Sequence, residues 1–249
     1  MTDTTRRVAM AVMAHPDDAE FLCAGTLIRL ADAGWEIHIA TLAPGDCGTM
    51  TETSWEISGR RTEEAKASAA VIGATYHCLD ERDGFIVYEK TAIRKTLDLF
   101  RLVTPSLVFT HPPSDYMLDH EETSKLARAA SFLYGAPNAS SVPLHKDACV
   151  PHLYYCDSVE GIDPISGEPI EPTTWIDVTA QMERKTQMLC CHASQREWLR
   201  AHHGMDEYVE AMRRHATMRG ETIKTDAAET FILHRGHPYP QNDILADLL

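Results

Sequence analysis

A chain of 249 residues with 44% hydrophobic and 24% charged residues has room for one large α/β unit, which excludes disordered, collagen-like and disulfide-stapled classes. Lys and Arg number 23 against 37 Asp and Glu, a net charge of −14 that repels phosphate backbones and anionic lipid surfaces. Thirteen histidines beside this excess of carboxylates are the raw material of a metal site.

Residues 8–14 are continuously apolar with no alternation, the pattern of a strand buried on both faces of a parallel sheet. Residues 20–33 carry apolar side chains at helical spacing and stop at Gly34, which predicts a helix with a glycine C-cap. A second strand is predicted over 35–42, a loop from Pro44 to Thr49, a second helix over 58–72 closed by Gly73, and a weak third strand over 76–79. A third helix (91–103) ends before Pro105, and a fourth strand (106–111) stops at Pro112-Pro113. Beyond it come a helix near 121–133, an irregular stretch 136–151, a strand at 153–156, helices at 178–192 and 206–219, and a last strand at 230–234. Residues 161–174, with Pro164, Pro169 and Pro172, read as a surface excursion. Alternating strands and helices over the first 135 residues predict right-handed βαβ units, hence an α/β, Rossmann-like, mostly parallel sheet of order 3-2-1-4-5 with helices on both faces. With no repeat and no linker, one domain spanning 1–249 is expected.

The seven cysteines are odd in number and contain no C-x-x-C pair, so buried thiols of a cytoplasmic protein are expected rather than a disulfide framework. The apolar run 8–14 is too short to cross a membrane, so no membrane insertion is expected.

In a sheet of that order strands 1 and 4 are neighbours, and ligands bind in the crevice beyond their carboxyl ends. The loop after strand 1 reads His15-Pro16-Asp17-Asp18-Ala19-Glu20, and the loop after strand 4 runs from His111 to His120 through Asp115, Met117 and Asp119. A G-x-G-x-x-G nucleotide loop needs glycines where this chain has Pro16 and paired carboxylates, so a nucleotide-binding protein is the weakest reading. A His and an Asp three residues apart, joined by a second His from the facing loop, supply three ligands and leave room for a water. Asp17 is then spare to take a proton from that water and pass it to a leaving amine, the parts of metal-assisted amide hydrolysis.

Ala14-His15-Pro16-Asp17-Asp18 with Glu20 and Gly25-Thr26, followed downstream by Asp119-His120, resembles the signature of the LmbE/PIG-L family of zinc-dependent N-acetylglucosaminyl deacetylases. Arg61-Thr-Glu-Glu64, Asp83-Gly84, Asp177-Val-Thr, Lys185, His192-Ala-Ser-Gln195, Arg219-Gly220 and Ala228-Glu229-Thr-Phe231 match weaker family patterns in the same order. The resemblance implies that His15, Asp18 and His120 bind one Zn2+ per chain, that Asp17 is the general base, and that Arg61 and Asp83 contact substrate hydroxyls. It also implies a small N-acetylated amino-sugar substrate and, by analogy, a homo-oligomer. Family members carry a histidine where this chain has Met117, and that histidine stabilises the oxyanion while the following Asp orients it. Met117 therefore enters the substrate site without a proton to donate, with His192 and His237 as candidate replacements. An alternative follows: a metal- or sugar-binding member with weak or lost hydrolysis.

Other origins compete for the same residues. Asp119 is equally a catalytic residue and a helix cap. Arg61 is also readable as a solvated helix residue, Asp83-Gly84 as a plain turn, His111 as a core-edge histidine, and His202-His203 as a polar helix connection. Substrate specificity is expected in residues 43–58 and 136–151.

Overall fold

The computed structural model describes residues 6–146, 148–195 and 208–248. His202, His203 and Met205 lie outside the described residues. Strand β1 (Val8–Met13) is buried along its whole length because it sits in the middle of the sheet. Ala9, Ala11 and Met13 enter the core on one face, and Val8, Met10 and Val12 the core on the other, so the unbroken apolar run is two alternating faces, both covered.

The remaining strands are β2 (Glu36–Thr41), β3 (Thr75–Cys78), β4 (Leu107–Thr110), β5 (His152–Cys156), β6 (Thr174–Asp177) and β7 (Ala228–Leu233), in the order 3-2-1-4-5-7-6. β1 pairs in parallel with both β2 and β4, β3 with β2, and β5 with β4. The predicted five-strand order holds, and two antiparallel strands extend it: β7 pairs with β5, and β6 with β7. β6 occupies the end of what reads in the sequence as a surface excursion. The chain order reverses at β1 and β4, which places a crevice at their carboxyl ends.

Helices α1 (Asp18–Leu22), α2 (Ala24–Asp32), α3 (Ser54–Ala70), α6 (Met182–Cys190) and α7 (Tyr208–Ile223) contribute to one core, while α4 (Lys90–Val103) and α5 (Leu118–Leu133) cover the other face. A short α8 (Ile244–Leu248) follows β7. The single predicted helix over 20–33 is two helices, broken at Cys23, where φ is −142°. Helix α3 begins four residues before the predicted start because Thr53 and Glu56 form a capping box: Glu56 N donates to Thr53 Oγ1 and Thr53 N to Glu56 Oε2. The expectation of buried thiols holds for Cys23 and Cys156 only, since Cys47, Cys149 and Cys190 are exposed. Among the described residues no helix is long and apolar enough to cross a membrane.

Candidate metal centre and active site

The loops after β1 and β4 face each other and bring His15, Asp18, His111, Asp115, Asp119 and His120 into one cluster. His15 Nε2 lies 3.1 Å from both Asp119 Oδ2 and Asp83 Oδ1. His120 Nδ1 lies 2.9 Å from Asp115 Oδ1. Carboxylates accept and do not donate, so the proton on each ring is assigned to the nitrogen facing them. That leaves the lone pairs of His15 Nδ1 and His120 Nε2, and both face Asp18, at 3.7 Å from Oδ2 and 3.5 Å from Oδ1 respectively.

These two separations are too long for hydrogen bonds. They match the edge of a tetrahedron, since two ligands each ~2.0–2.1 Å from a zinc ion stand about 3.4 Å apart. Two lone pairs and a carboxylate aimed at one point in a buried setting form a donor set for a divalent cation. The carboxylate behind each histidine is placed as the outer partner that would fix the tautomer of a metal-binding imidazole.

The electrostatics agree with the geometry. Burial alone would lower the His15 pKa, but Asp119, Asp83 and Asp18 outweigh it and push it up to about 10. Burial likewise opposes charge on His120, and Asp18 and Asp115 raise it regardless. Burial would raise the Asp18 carboxyl, but the surrounding His120, His111 and His15 hold it far below the usual carboxylate range. A proton and a metal ion thus compete for the same lone pairs.

His111 is fully buried, and its role is internal. Its Nε2 accepts from Ala14 N at 3.0 Å and lies 3.1 Å from Asp18 Oδ2, while its ring stacks on His120 at 3.9 Å. Burial, with His120 beside it, lowers its pKa.

Asp17 precedes α1 with φ 101° and ψ −23°, a left-handed conformation uncommon outside glycine, and this turns its side chain away from that of Asp18. Arg61 Nη2 approaches Asp17 Oδ2 at 3.3 Å, and the Tyr208 hydroxyl donates to the same carboxylate. Burial raises the Asp17 pKa, Arg61 opposes it, and Asp18 adds to it. The solvated reading of Arg61 is overturned. Its side chain is buried and also donates to Pro16 O at 2.7 Å and Gly45 O at 3.2 Å. Gly45 has φ +74°, and a Cβ there would lie 2.0 Å from Arg61 Nη1, so only glycine lets the guanidinium pass.

Asp119 does not cap α5; Met117 occupies the N-cap position. Asp119 instead accepts from Gly84 N at 2.6 Å and Ile86 N at 3.2 Å, tying the Asp83-Gly84 turn to His15. The turn therefore has a structural role, while Asp83 itself reaches His15.

A cavity of about 570 Å3 opens over the cluster, lined by His15, Asp17, Asp18, Arg61, Asp83 and Met117 among others. Every sequence-predicted site residue lies in this wall except Asp119, which is buried behind it. The candidate replacements for the histidine absent at 117 do not reach it. His237 lines a different cavity with Tyr88 and Arg128, and His192 is buried against Glu20 at 3.2 Å. Among the described residues, none of 136–151 lines the wall; Val159, Glu160, Gln195, Tyr208, Ala211 and Arg214 do so instead. Sequence reasoning missed Asp115, Tyr116 and Tyr208. Asp115 and Tyr116 share the His111–His120 loop and were within reach of the switch-point rule, whereas Tyr208 is brought in by α7 from far along the chain.

A family model described as GlcNAc-PI de-N-acetylase, PIG-L, matches residues 10–131. The chain is 27% identical over 203 residues to 4-oxalmesaconate hydratase of Pseudomonas putida, covering 78% of this chain and 76% of that protein. It is 27% identical over 201 residues to diacetylchitobiose deacetylase of Thermococcus kodakarensis, covering 75% and 69%. Among solved structures, N,N'-diacetylchitobiose deacetylase of Pyrococcus horikoshii superposes with a TM-score of 0.78 at 22% identity, covering 96% of this chain and 88% of that one. The 4-carboxy-2-hydroxymuconate hydratase of Pseudomonas putida gives 0.78 at 23% identity, covering 95% and 100%. At these identities the structural likeness establishes a common fold.

Proposed function

The chain belongs to the PIG-L (LmbE-like) family, and from that premise we propose that it is a zinc-dependent hydrolase removing an N-acetyl or related N-acyl group from an amino-sugar conjugate. The observation that carries this reading is the convergence of the His15 and His120 lone pairs on Asp18, with the Asp17 carboxylate held separately beside them. His15, Asp18 and His120 hold the metal, one ion per chain. When bound, zinc supplies a Lewis acid and lowers the pKa of a water to about 7.

The protein's own groups do the rest. Asp17 accepts the proton of the attacking water and returns it to the amine nitrogen as the carbon–nitrogen bond breaks. Arg61 and Tyr208 fix the direction of its carboxylate. Asp119 and Asp115 hold the two histidine rings. Asp83 and Met117 bound the substrate, and Arg61, whose guanidinium is taken up by Pro16, Gly45 and Asp17, acts on substrate through the base.

The hydratase relative motivates a second reading, in which the same activated water adds to a carbon–carbon double bond of an unsaturated acid. Asp83 and Glu160 in the wall would repel such an acid, while Arg214 and the metal itself would attract it, so the product formed discriminates between the two readings.

The test is acetate release from N-acetylglucosamine and N,N'-diacetylchitobiose by the zinc-loaded protein and its Asp17→Asn variant. The variant should lose about 100-fold or more in kcat with its zinc content unchanged. Equal rates would remove Asp17 as the base, and water addition to an unsaturated acid without acetate release would favour the second reading.

A further inference from the structure

Adding water to a carbonyl puts negative charge on its oxygen, and a positioned hydrogen-bond donor at that oxygen is among the largest contributions a protein can make. The cavity wall offers five side-chain N–H or O–H donors outside the histidines, Arg61, Tyr116, Gln195, Tyr208 and Arg214, and the Cys47 thiol, which donates to Asp83 O. Arg61 is held by Pro16, Gly45 and Asp17, and the Tyr208 hydroxyl is given to Asp17. Gln195 Nε2 donates to Gly48 O at 3.2 Å. Arg214 stands on the outer wall, shared with a neighbouring cavity through Val159, Glu160 and Ala211.

Tyr116 differs from all of these. Its ring stands edge-on to His120, with centroids 5.3 Å apart at 80°, so it is placed against a proposed metal-binding side chain. The side chain is 63% exposed and lines the cavity, and among the described residues its hydroxyl has no hydrogen-bond partner. The adjoining Met117 lines the same wall with a thioether, which has no proton to give.

We propose that the Tyr116 hydroxyl is the donor to the substrate carbonyl oxygen in this site, an inference that rests on the amide-hydrolase reading. The water oxygen bonds to the carbonyl carbon, the π electron pair moves onto the carbonyl oxygen, and Asp17 takes the water proton. Breakage of the carbon–nitrogen bond returns that pair to the carbonyl, and Asp17 protonates the nitrogen. Tyr116 keeps its proton throughout and contributes a hydrogen bond that strengthens as the oxygen becomes negative.

The experiment compares wild type, Tyr116→Phe and Tyr116→Phe/Met117→His for acetate release and, separately, for binding a methylphosphonate analogue of the amide, a tetrahedral anion. Tyr116→Phe should lower kcat by about 100-fold with KM little changed and zinc content equal, and should weaken phosphonate binding by a similar factor. The double variant, with an imidazole donor next door, should recover part of both losses. Wild-type turnover with Tyr116→Phe within threefold of it would overturn the proposal and leave the amide-hydrolase reading standing. Absent turnover with phosphonate binding weakened in Tyr116→Phe would overturn that reading and keep the donor. Absent turnover with equal binding would overturn both.

Discussion

Asp115 touches no substrate in the proposed site, yet it decides which nitrogen of His120 is available to a metal. Its Oδ1 takes the Nδ1 proton at 2.9 Å, so Nε2 is left basic and aimed at Asp18. Outer partners of this kind change metal affinity by roughly 10–100-fold. Asp115→Ala, which removes the acceptor, should therefore weaken zinc binding by about that factor, read by competition with a chromophoric chelator. An unchanged zinc affinity would mean that His120 is oriented by its packing on His111 alone. At this scale the sequence is legible only in part. His15, Asp17 and Asp18 stand out because three chemically apt residues are consecutive at a switch point. His120 is readable only through the family resemblance, since alone it opens an acidic helix like any surface residue. Asp115 and Tyr116 lie in the loop that the switch-point rule selects, but nothing in their local sequence separates them from its other residues; their partner His120 lies in the same segment.

Helix α2 starts where α1 stops because its first amides have a partner elsewhere. Gly25 N and Thr26 N donate to the Glu229 carboxylate on β7 at 2.8 and 2.7 Å, and Lys185 Nζ from α6 completes the group at 2.6 Å. Lys185 and Glu229 side chains are each only 2% exposed. Removing one partner of such a buried pair leaves an uncompensated charge, at a cost of about 3–5 kcal/mol. Lys185→Met should lower stability by that amount in denaturant unfolding, and adding Glu229→Gln should recover part of it, because a neutral amide still accepts from Gly25 and Thr26. If Lys185→Met were neutral, the pair would not be what holds α2. The elements themselves were mostly readable. β1 shows as an apolar run because both its faces are covered, and α4 shows by its period. The start of α3 lay in Thr53 and Glu56, a local signal that the apolar pattern conceals. β6 was not readable: it has four residues, follows three prolines, and becomes a strand only by pairing with β7, some fifty residues later.

For the molecule as a whole, the acid side of the stability curve has an identifiable contributor. The His215 side chain on α7 is only 12% exposed, and Arg219 takes the nearby Asp157 with Nε at 2.5 Å and Nη2 at 2.9 Å, leaving the imidazole 3.5 Å from that carboxylate. Burial chiefly, with Lys185 and Arg219 adding to it against Asp157, lowers its pKa to about 4. The unfolded chain therefore binds a proton that the folded chain refuses between about pH 6.5 and pH 4, so stability falls as pH drops through that window and is retained above it. Full expression of the effect is about 3 kcal/mol. His215→Gln should flatten the pH dependence of unfolding free energy between pH 7 and pH 4, and an unaltered slope would remove His215 as its source. The topology was legible as far as β5, where parallel βαβ units write their alternation into neighbouring residues. Beyond it, antiparallel pairings between distant segments leave no such record. That late extension of the sheet also orders events in time. Every proposed metal ligand has been translated by residue 120, but the amides opening α2, directly after the helix that carries Asp18, find their acceptor only on β7. A nascent chain therefore carries all its liganding residues for more than a hundred residues of synthesis before the strand that anchors their scaffold exists.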